Sequence, residues 1–347
     1  MAKITKKTTA GSFDLDKFKS KFAPVKPSRE QGFYDFPNEM KKELGLQGVP
    51  ICGTTQILGY SDTGKTSLIT HTAMEAIKRG DLPVFLITEN KFSFEHAILM
   101  GLPCELTDVV DESTGEVKKM WDGDFIFKND FENLEEIFDF MRLILDAQIS
   151  GELPRNVVFL IDSIGSLHGK RQAEGAGGNM HDAKTISDNY KMDLAGRIQS
   201  TKFLKYSYTA TSVIVNQCYP SIDAMGPTTI APYGGNGIYY SADVVLLYGG
   251  QAKASAQNIT ATYKGRRIAF GKRVRVSIKK NHVNGISIDD GKVAIVPHGI
   301  ISATNESIGD YKKAHIEYLK NLFRDYDSNI DGSEIDIELT DDNEVDI

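Results

Sequence analysis

The chain of 347 residues has little cysteine and almost no tryptophan: three cysteines and one tryptophan. Cys52, Cys104 and Cys218 are far apart and follow no metal-ligand spacing, which argues against a disulfide framework and a cysteine-rich metal site. They read as reduced thiols of an intracellular protein. No run is apolar enough to span a bilayer, so no membrane is expected among the partners. Lys3, Lys6 and Lys7 make the N-terminus basic, but no apolar segment follows, so no secretion signal is expected. With 41% hydrophobic and 25% charged residues, the chain fits one large globular domain with appendages, or two domains.

Basic residues are also missing from the C-terminus. Residues 325–347 hold ten Asp or Glu and no Lys or Arg. Removing those ten charges from a net charge of −7 leaves residues 1–324 at +3. A mildly basic body with an acidic tail suits a nucleic-acid binder whose tail competes for the basic surface, and equally a tail that only solubilises.

What is present is most legible at Gly59-Tyr60-Ser61-Asp62-Thr63-Gly64-Lys65-Thr66-Ser67, which reads G-x-x-x-x-G-K-T. The glycines let the backbone turn tightly and aim its N–H groups at phosphate oxygens. Lys65 supplies charge for the β- and γ-phosphates of ATP, and the Thr66 hydroxyl can ligate Mg²⁺. Thr55-Gln56-Ile57-Leu58 reads as a short buried strand before it. Residues 65–78 read as a helix, with Leu68, Ile69, Ala73, Met74 and Ile77 on one face and Gly80 as the stop. The phosphates would sit on that helix's N-terminus.

From about residue 44 to residue 301 strands and helices alternate. Val84-Phe85-Leu86-Ile87 ends in Thr88-Glu89, Val157-Val158-Phe159-Leu160-Ile161 in Asp162-Ser163, and Ser212-Val213-Ile214-Val215 in Asn216-Gln217. Val244-Val245-Leu246-Leu247 follows. Runs apolar on both faces belong to a parallel sheet covered by helices on both sides. The fold class is therefore α/β with a mostly parallel central sheet. Helices are expected over residues 131–144 and 311–323, and a surface hairpin over residues 104–124. Residues 275–301 read as strands with turns at Asn284-Gly285 and Asp290-Gly291.

The polar strand ends carry the chemistry. Asp162 has the Walker B arrangement, a carboxylate that holds Mg²⁺ directly or through water. Glu89 can orient or deprotonate an attacking water, the bland alternative being a solvated glutamate. The amides of Asn216 and Gln217 can contact a γ-phosphate, or be ordinary loop polarity. Residues 171–184 and 218–235 form two Gly-containing loops without obvious structure, able to wrap a phosphate backbone and wedge side chains between bases.

Taken together these residues resemble the RecA family of recombinases. The lead-in Gly48-Val49-Pro50 and Gly53-Thr54-Thr55-Gln56-Ile57-Leu58-Gly59, then Glu89, Phe159-Leu160-Ile161-Asp162-Ser163, Ile214-Val215-Asn216-Gln217 and Gly234-Gly235-Asn236 carry the likeness. Ile161-Asp162-Ser163-Ile164-Gly165-Ser166-Leu167 and Tyr240-Ser241-Ala242-Asp243 look most like the phage UvsX-like branch.

The resemblance implies a RecA-like P-loop ATPase core over residues 44–324, an N-terminal oligomerisation arm and linker over residues 1–43, and an acidic, disordered tail over residues 325–347. In the arm, Leu15, Phe18 and Phe22 would line a short helix that docks on the next subunit. Glu89 would be the catalytic carboxylate, with Lys65 on the phosphates and Gln217 as γ-phosphate sensor. Lys280 falls where the family places a basic residue that reaches the adjacent subunit's ATP, and His282 where a second such cation is usual. His96 is placed against adenine. Lys184, Lys191, Tyr219, Met225, Gly234, Gly235 and Asn236 are the implied DNA contacts. Ile87-Thr88 departs from the family, where Asp and a small residue are common.

The function so implied is an ATP-dependent recombinase in the cytoplasm of a bacterial or phage-infected cell. It would form helical homo-oligomeric filaments on single-stranded DNA and pair them with double-stranded DNA, with single-strand-binding and loader proteins as candidate partners. A RecA-fold hexameric helicase would need a helical N-terminal domain before Leu44. A non-catalytic mediator would not need intact Lys65, Thr66, Glu89 and Asp162.

Deleting residues 325–347 is expected to tighten DNA binding, most for duplex DNA, with an effect that shrinks as salt rises. Equal affinity of the full-length and truncated chains at every salt concentration would leave the tail as a solubilising appendage.

Overall fold

A computed structural model describes residues 27–89, 91–110, 117–166, 189–221, 229–232, 237–249, 258–263 and 266–326. In chain order the strands are β1 (Phe33–Asp35), β2 (Gly48–Pro50), β3 (Thr54–Gly59), β4 (Leu82–Ile87), β5 (Cys104–Val110), β6 (Val117–Gly123), β7 (Ile126–Lys128), β8 (Val157–Asp162), β9 (Ala210–Ser221), β10 (Thr229–Pro232), β11 (Val244–Tyr248), β12 (Asn258–Tyr263), β13 (Arg266–Asn281), β14 (Gly291–Val296) and β15 (Gly299–Ser302). Among the described residues eleven of them form one sheet, along β15-β14-β13-β11-β3-β9-β8-β4-β7, with β10 on β9 and β12 on β13. The block from β11 to β7 is parallel throughout, and the other pairings are antiparallel.

Burial on both faces explains the continuous apolar runs. Phe85 and Ile87 of β4, Val158 and Leu160 of β8, and Val213 and Val215 of β9 enter one core. That core also holds Leu68, Ile69 and Ala73 of the helix Lys65–Lys78. The alternate residues Val84, Leu86, Phe159, Ile161 and Ile214 enter a second core with Ile137, Phe138 and Met141 of the helix Leu134–Ser150. The strands thus form the middle layer of a three-layer α/β body.

Several expected elements shift. The helix expected over residues 131–144 runs from Leu134 to Ser150 because Asn133 caps it. The Asn133 side chain accepts from Glu136 N at 3.1 Å, and the Glu136 carboxylate accepts from Glu132 N at 2.9 Å. The single final helix is two, Asn305–Ala314 and Ile316–Tyr326, broken at His315, whose ring stacks on His298 with centroids 3.8 Å apart. Asp290-Gly291 makes no hairpin turn: Gly291 opens β14 opposite Val276. The segment 218–235 is not all loop, since β9 continues through Cys218, Tyr219, Pro220 and Ser221 and pairs antiparallel with β10. The hairpin expected within residues 104–124 is present as β5 paired with β6.

The packed body also begins earlier than Leu44. Tyr34, Phe36 and Met40 are buried with Leu44 in the core beneath the helix Asn38–Leu44. The Tyr34 hydroxyl donates to Asp81 at 3.1 Å. Arg29 donates to the carbonyls of Thr201, Phe203, Tyr206 and Ser207. A linker reading of residues 27–43 missed this because a seven-residue helix and a three-residue strand leave no long periodic signal. The arm residues Leu15, Phe18 and Phe22, and the tail beyond Tyr326, lie outside the described residues.

Met40→Ala is expected to destabilise the fold by about 2–5 kcal/mol, since it empties a fully buried site. Equilibrium urea unfolding measures this, and a linker position would lose almost nothing.

Candidate functional site

The parallel strands end at one edge. Gly59 of β3 pairs with Gln217 of β9 and Tyr248 of β11, and Ile87 of β4 pairs with Asp162 of β8. Residues far apart in sequence therefore open onto one cleft of about 340 Å³. It is lined by the turn from Ser61 to Ser67 and by Glu89, Lys91, Phe92, His96, Asp162, Ser163 and Gln217, among others.

The turn after β3 has its shape for steric reasons. Gly64 adopts φ +83°, a left-handed conformation that glycine tolerates, and a Cβ there would meet the Ile295 side chain at 2.6 Å. A Cβ on Gly59 would meet the Tyr248 carbonyl oxygen at 2.6 Å. Asp62 also has positive φ, at 58°. Lys65, buried at the start of its helix, donates from Nζ to the Tyr60 carbonyl, and Thr63 donates to the same oxygen at 2.9 Å.

Two carboxylates face this turn. Thr66 Oγ1 donates to Asp162 Oδ2 at 2.6 Å. Burial pushes the Asp162 pKa up and the Glu89 charge adds to this, while the Thr66 bond and Lys65 oppose it. A hydroxyl beside a carboxylate oxygen is a hard-oxygen donor pair suited to Mg²⁺. Among the described residues no three His, Cys, Asp or Glu converge as a metal cluster. Mg²⁺ held by one or two protein oxygens plus phosphates needs no such cluster.

Glu89 is held from two sides. Its Oε1 accepts from Ser163 Oγ at 2.8 Å and from Gln217 Nε2 at 2.9 Å. Thr88 fixes the donor strand, since its hydroxyl donates to the Ser163 carbonyl at 2.6 Å and accepts from Ser163 N at 3.0 Å. Ser163 was in view in the sequence only as the residue after Asp162. Its bond to Glu89 depends on β4 and β8 being neighbours, which no local pattern states. Lys91, Phe92 and Ile295 were likewise missed as cleft residues.

His96 lines the cleft from the helix Phe94–Met100, whose cap Ser93 accepts from His96 N at 3.0 Å. Burial lowers its pKa, which favours the neutral ring.

Lys280 and His282 are not brought to this cleft. Lys280 is level with Val245, towards the start of β11, while Gly59 pairs with Tyr248 at the other end. Its ammonium donates to the carbonyls of Tyr239 and Tyr240 at 3.0 and 2.9 Å. Burial lowers its pKa and Asp243 partly opposes this. His282 N donates to the Asp243 carbonyl at 2.8 Å. Lys191 lies near the same place, its ammonium 6.0 Å from the Tyr240 ring centroid. The backbone of Tyr219 pairs with Ala231 in the β9–β10 hairpin. Lys184, Met225, Gly234, Gly235 and Asn236, and the loop 171–184, lie outside the described residues.

The sequence has counterparts among known proteins. The chain is similar to RecA proteins. That of Desulforapulum autotrophicum is 24% identical over 247 residues, covering 70% of this chain and 58% of that protein. That of Clostridium botulinum is 26% identical over 244 residues, covering 69% and 56%. The match to RecA of Arthrobacter sp. is 22% identical over 303 residues, covering 81% and 74%. The chain thus spans less than two thirds of the length of the first of these relatives. The likeness supports a RecA-family member with an α/β core of this kind. No protein-family model matches the chain. Among the described residues no helix is long and apolar enough to cross a membrane.

The raised Asp162 pKa has a pH consequence. Were Mg²⁺ held by this carboxylate, protons would compete for it at a higher pH than for a free aspartate, which titrates at about 3.9. The Mg²⁺-dependent gain in affinity for a non-hydrolysable ATP analogue is expected to fall on acidification before that range is reached. Asp162→Asn should abolish both the gain and its pH dependence. A gain that stays constant down to about pH 4 would exclude Asp162 from Mg²⁺ binding.

Proposed function

We propose that this chain is an ATP-dependent DNA recombinase that assembles as a helical filament on single-stranded DNA and pairs it with duplex DNA. The observation that carries the reading is the bond between Gln217 and Glu89. Gln217 belongs to β9, the strand that continues into the β9–β10 hairpin. Its amide therefore links the carboxylate facing the phosphate site to the segment read as a DNA-binding loop.

In this reading Lys65 and the backbone of the Gly59–Ser67 turn hold the triphosphate. Thr66 and Asp162 would hold Mg²⁺, which when bound neutralises charge on the phosphate oxygens. Glu89 orients and accepts the proton of the attacking water, and Ser163 keeps its carboxylate aimed into the cleft. A γ-phosphate oxygen competes with Glu89 for the Gln217 amide. When Gln217 turns to the phosphate, β9 and its hairpin follow, so ATP and DNA affinities are coupled and by linkage reciprocal. His96 packs on the base. Lys280 and His282 serve the ATP of a neighbouring copy, because they lie towards the start of β11, away from the turn beyond its end. The segment holding Phe18 and Phe22 is the arm that would dock on that neighbour. Lys191, Tyr219 and the two loops contact DNA. The Ile161–Leu167 stretch favours the phage UvsX-like branch, and the cytoplasm is the expected compartment.

Glu89→Gln is expected to retain ATP-analogue binding and filament assembly but to lose turnover by about 10²–10⁴-fold, as for a general base. ATPase assays and electron microscopy with single-stranded DNA test this together. Wild-type turnover would remove Glu89 from catalysis. Closed rings instead of helical filaments would favour a hexameric helicase.

A further inference from the structure

Strands β13 and β14 meet the glycine turn from outside the parallel block. Lys272 of β13 stands opposite Ile295 of β14 in the antiparallel ladder, so the two side chains leave the sheet on the same face. Both reach the turn. The Ile295 side chain comes within 2.6 Å of where a Gly64 Cβ would stand. The Lys272 ammonium donates to the Asp62 carbonyl at 3.2 Å, from 210 positions further along the chain. Ile295 lines the cleft, whereas Lys272 lies outside its lining.

The conformation of Asp62 makes that carbonyl matter. Asp62 has φ +58° and Gly64 has φ +83°. Glycine takes up a left-handed conformation freely, but an aspartate does so at a cost. Left-handed residues set among right-handed ones turn successive N–H groups into one concavity that accepts an anion. Inside the turn, Thr63 and Lys65 both donate to the Tyr60 carbonyl. Among the described residues the donor to the Asp62 carbonyl is Lys272. A trans peptide is planar, with its C=O and N–H on opposite sides. Fixing the Asp62 carbonyl towards β13 therefore fixes the Thr63 N–H in the opposite direction, and Thr63 is a cleft residue.

We propose, resting on the reading of this turn as the phosphate site, that Lys272 is a positioning residue for nucleotide binding. Its bond holds Asp62 in the left-handed conformation and thereby aims the Thr63 N–H at the phosphates. It acts from behind the turn and does not touch the nucleotide. Lys65 and Lys272 thus act differently on one ligand: Lys65 meets the β- and γ-phosphates, while Lys272 works through backbone that cradles the α- and β-phosphates.

That difference is measurable. Lys272→Met keeps much of the aliphatic stem and removes the donor. In the full-length protein it is expected to weaken ADP and a non-hydrolysable ATP analogue, each with Mg²⁺, by the same factor of about tenfold in calorimetric titrations. Lys272→Arg, which can donate to the same carbonyl, should restore both affinities. In the nucleotide-free protein the Thr63 amide resonance should shift and broaden in Lys272→Met and recover in Lys272→Arg, with circular dichroism confirming the fold. A loss confined to the triphosphate would make Lys272 a phosphate ligand and overturn the proposal. Unchanged affinities for both nucleotides would overturn it too, whatever the Thr63 resonance does. A wild-type chain that binds neither nucleotide would overturn the phosphate-site reading itself, so the wild type tells the two failures apart.

Discussion

Burial of a parallel sheet on both faces is the constraint on which the rest of this protein depends. The apolar runs of β4, β8 and β9 leave little room for polar chemistry within the strands, so it collects where they end. Because the strands are parallel, those ends share one edge. Thr66, Glu89, Asp162 and Gln217 meet there although 151 positions separate the first from the last.

The contacts at that edge are mutual rather than additive. One oxygen of Glu89 receives both Ser163 and Gln217, and Asp162 receives Thr66. The two carboxylates repel, and Lys65 lies close enough to offset part of that repulsion at Asp162. A γ-phosphate with its metal would enter a site whose donors are already committed to carboxylates, so its arrival exchanges partners instead of filling a gap. Exchange of partners is what lets a local binding event move a strand.

The antiparallel extension has a different consequence. β13 and β14 carry the sheet past β11, placing Ile295 against the glycine turn and Lys280 towards the opposite end of β11. One molecule therefore holds the glycine turn at one end of these strands and Lys280 towards the other.

The sequence alone determined the parts of this protein whose signals are local. The glycine turn, the helix Lys65–Lys78 and the runs ending in Glu89 and Asp162 were all legible, because backbone sterics and periodicity act over a few residues. The β5–β6 hairpin was legible for the same reason. Only the tertiary structure decided what depends on strand order. Ser163 meets Glu89 because β8 lies beside β4, and Ile295 reaches Gly64 from more than 200 residues away. Helix ends moved with a cap at Asn133 and a break at His315, and residues 33–44 joined the core through elements too short to show a period. Pairing between distant strands leaves no local trace, because the residues that choose a neighbour are selected by burial, and burial is a property of the folded whole.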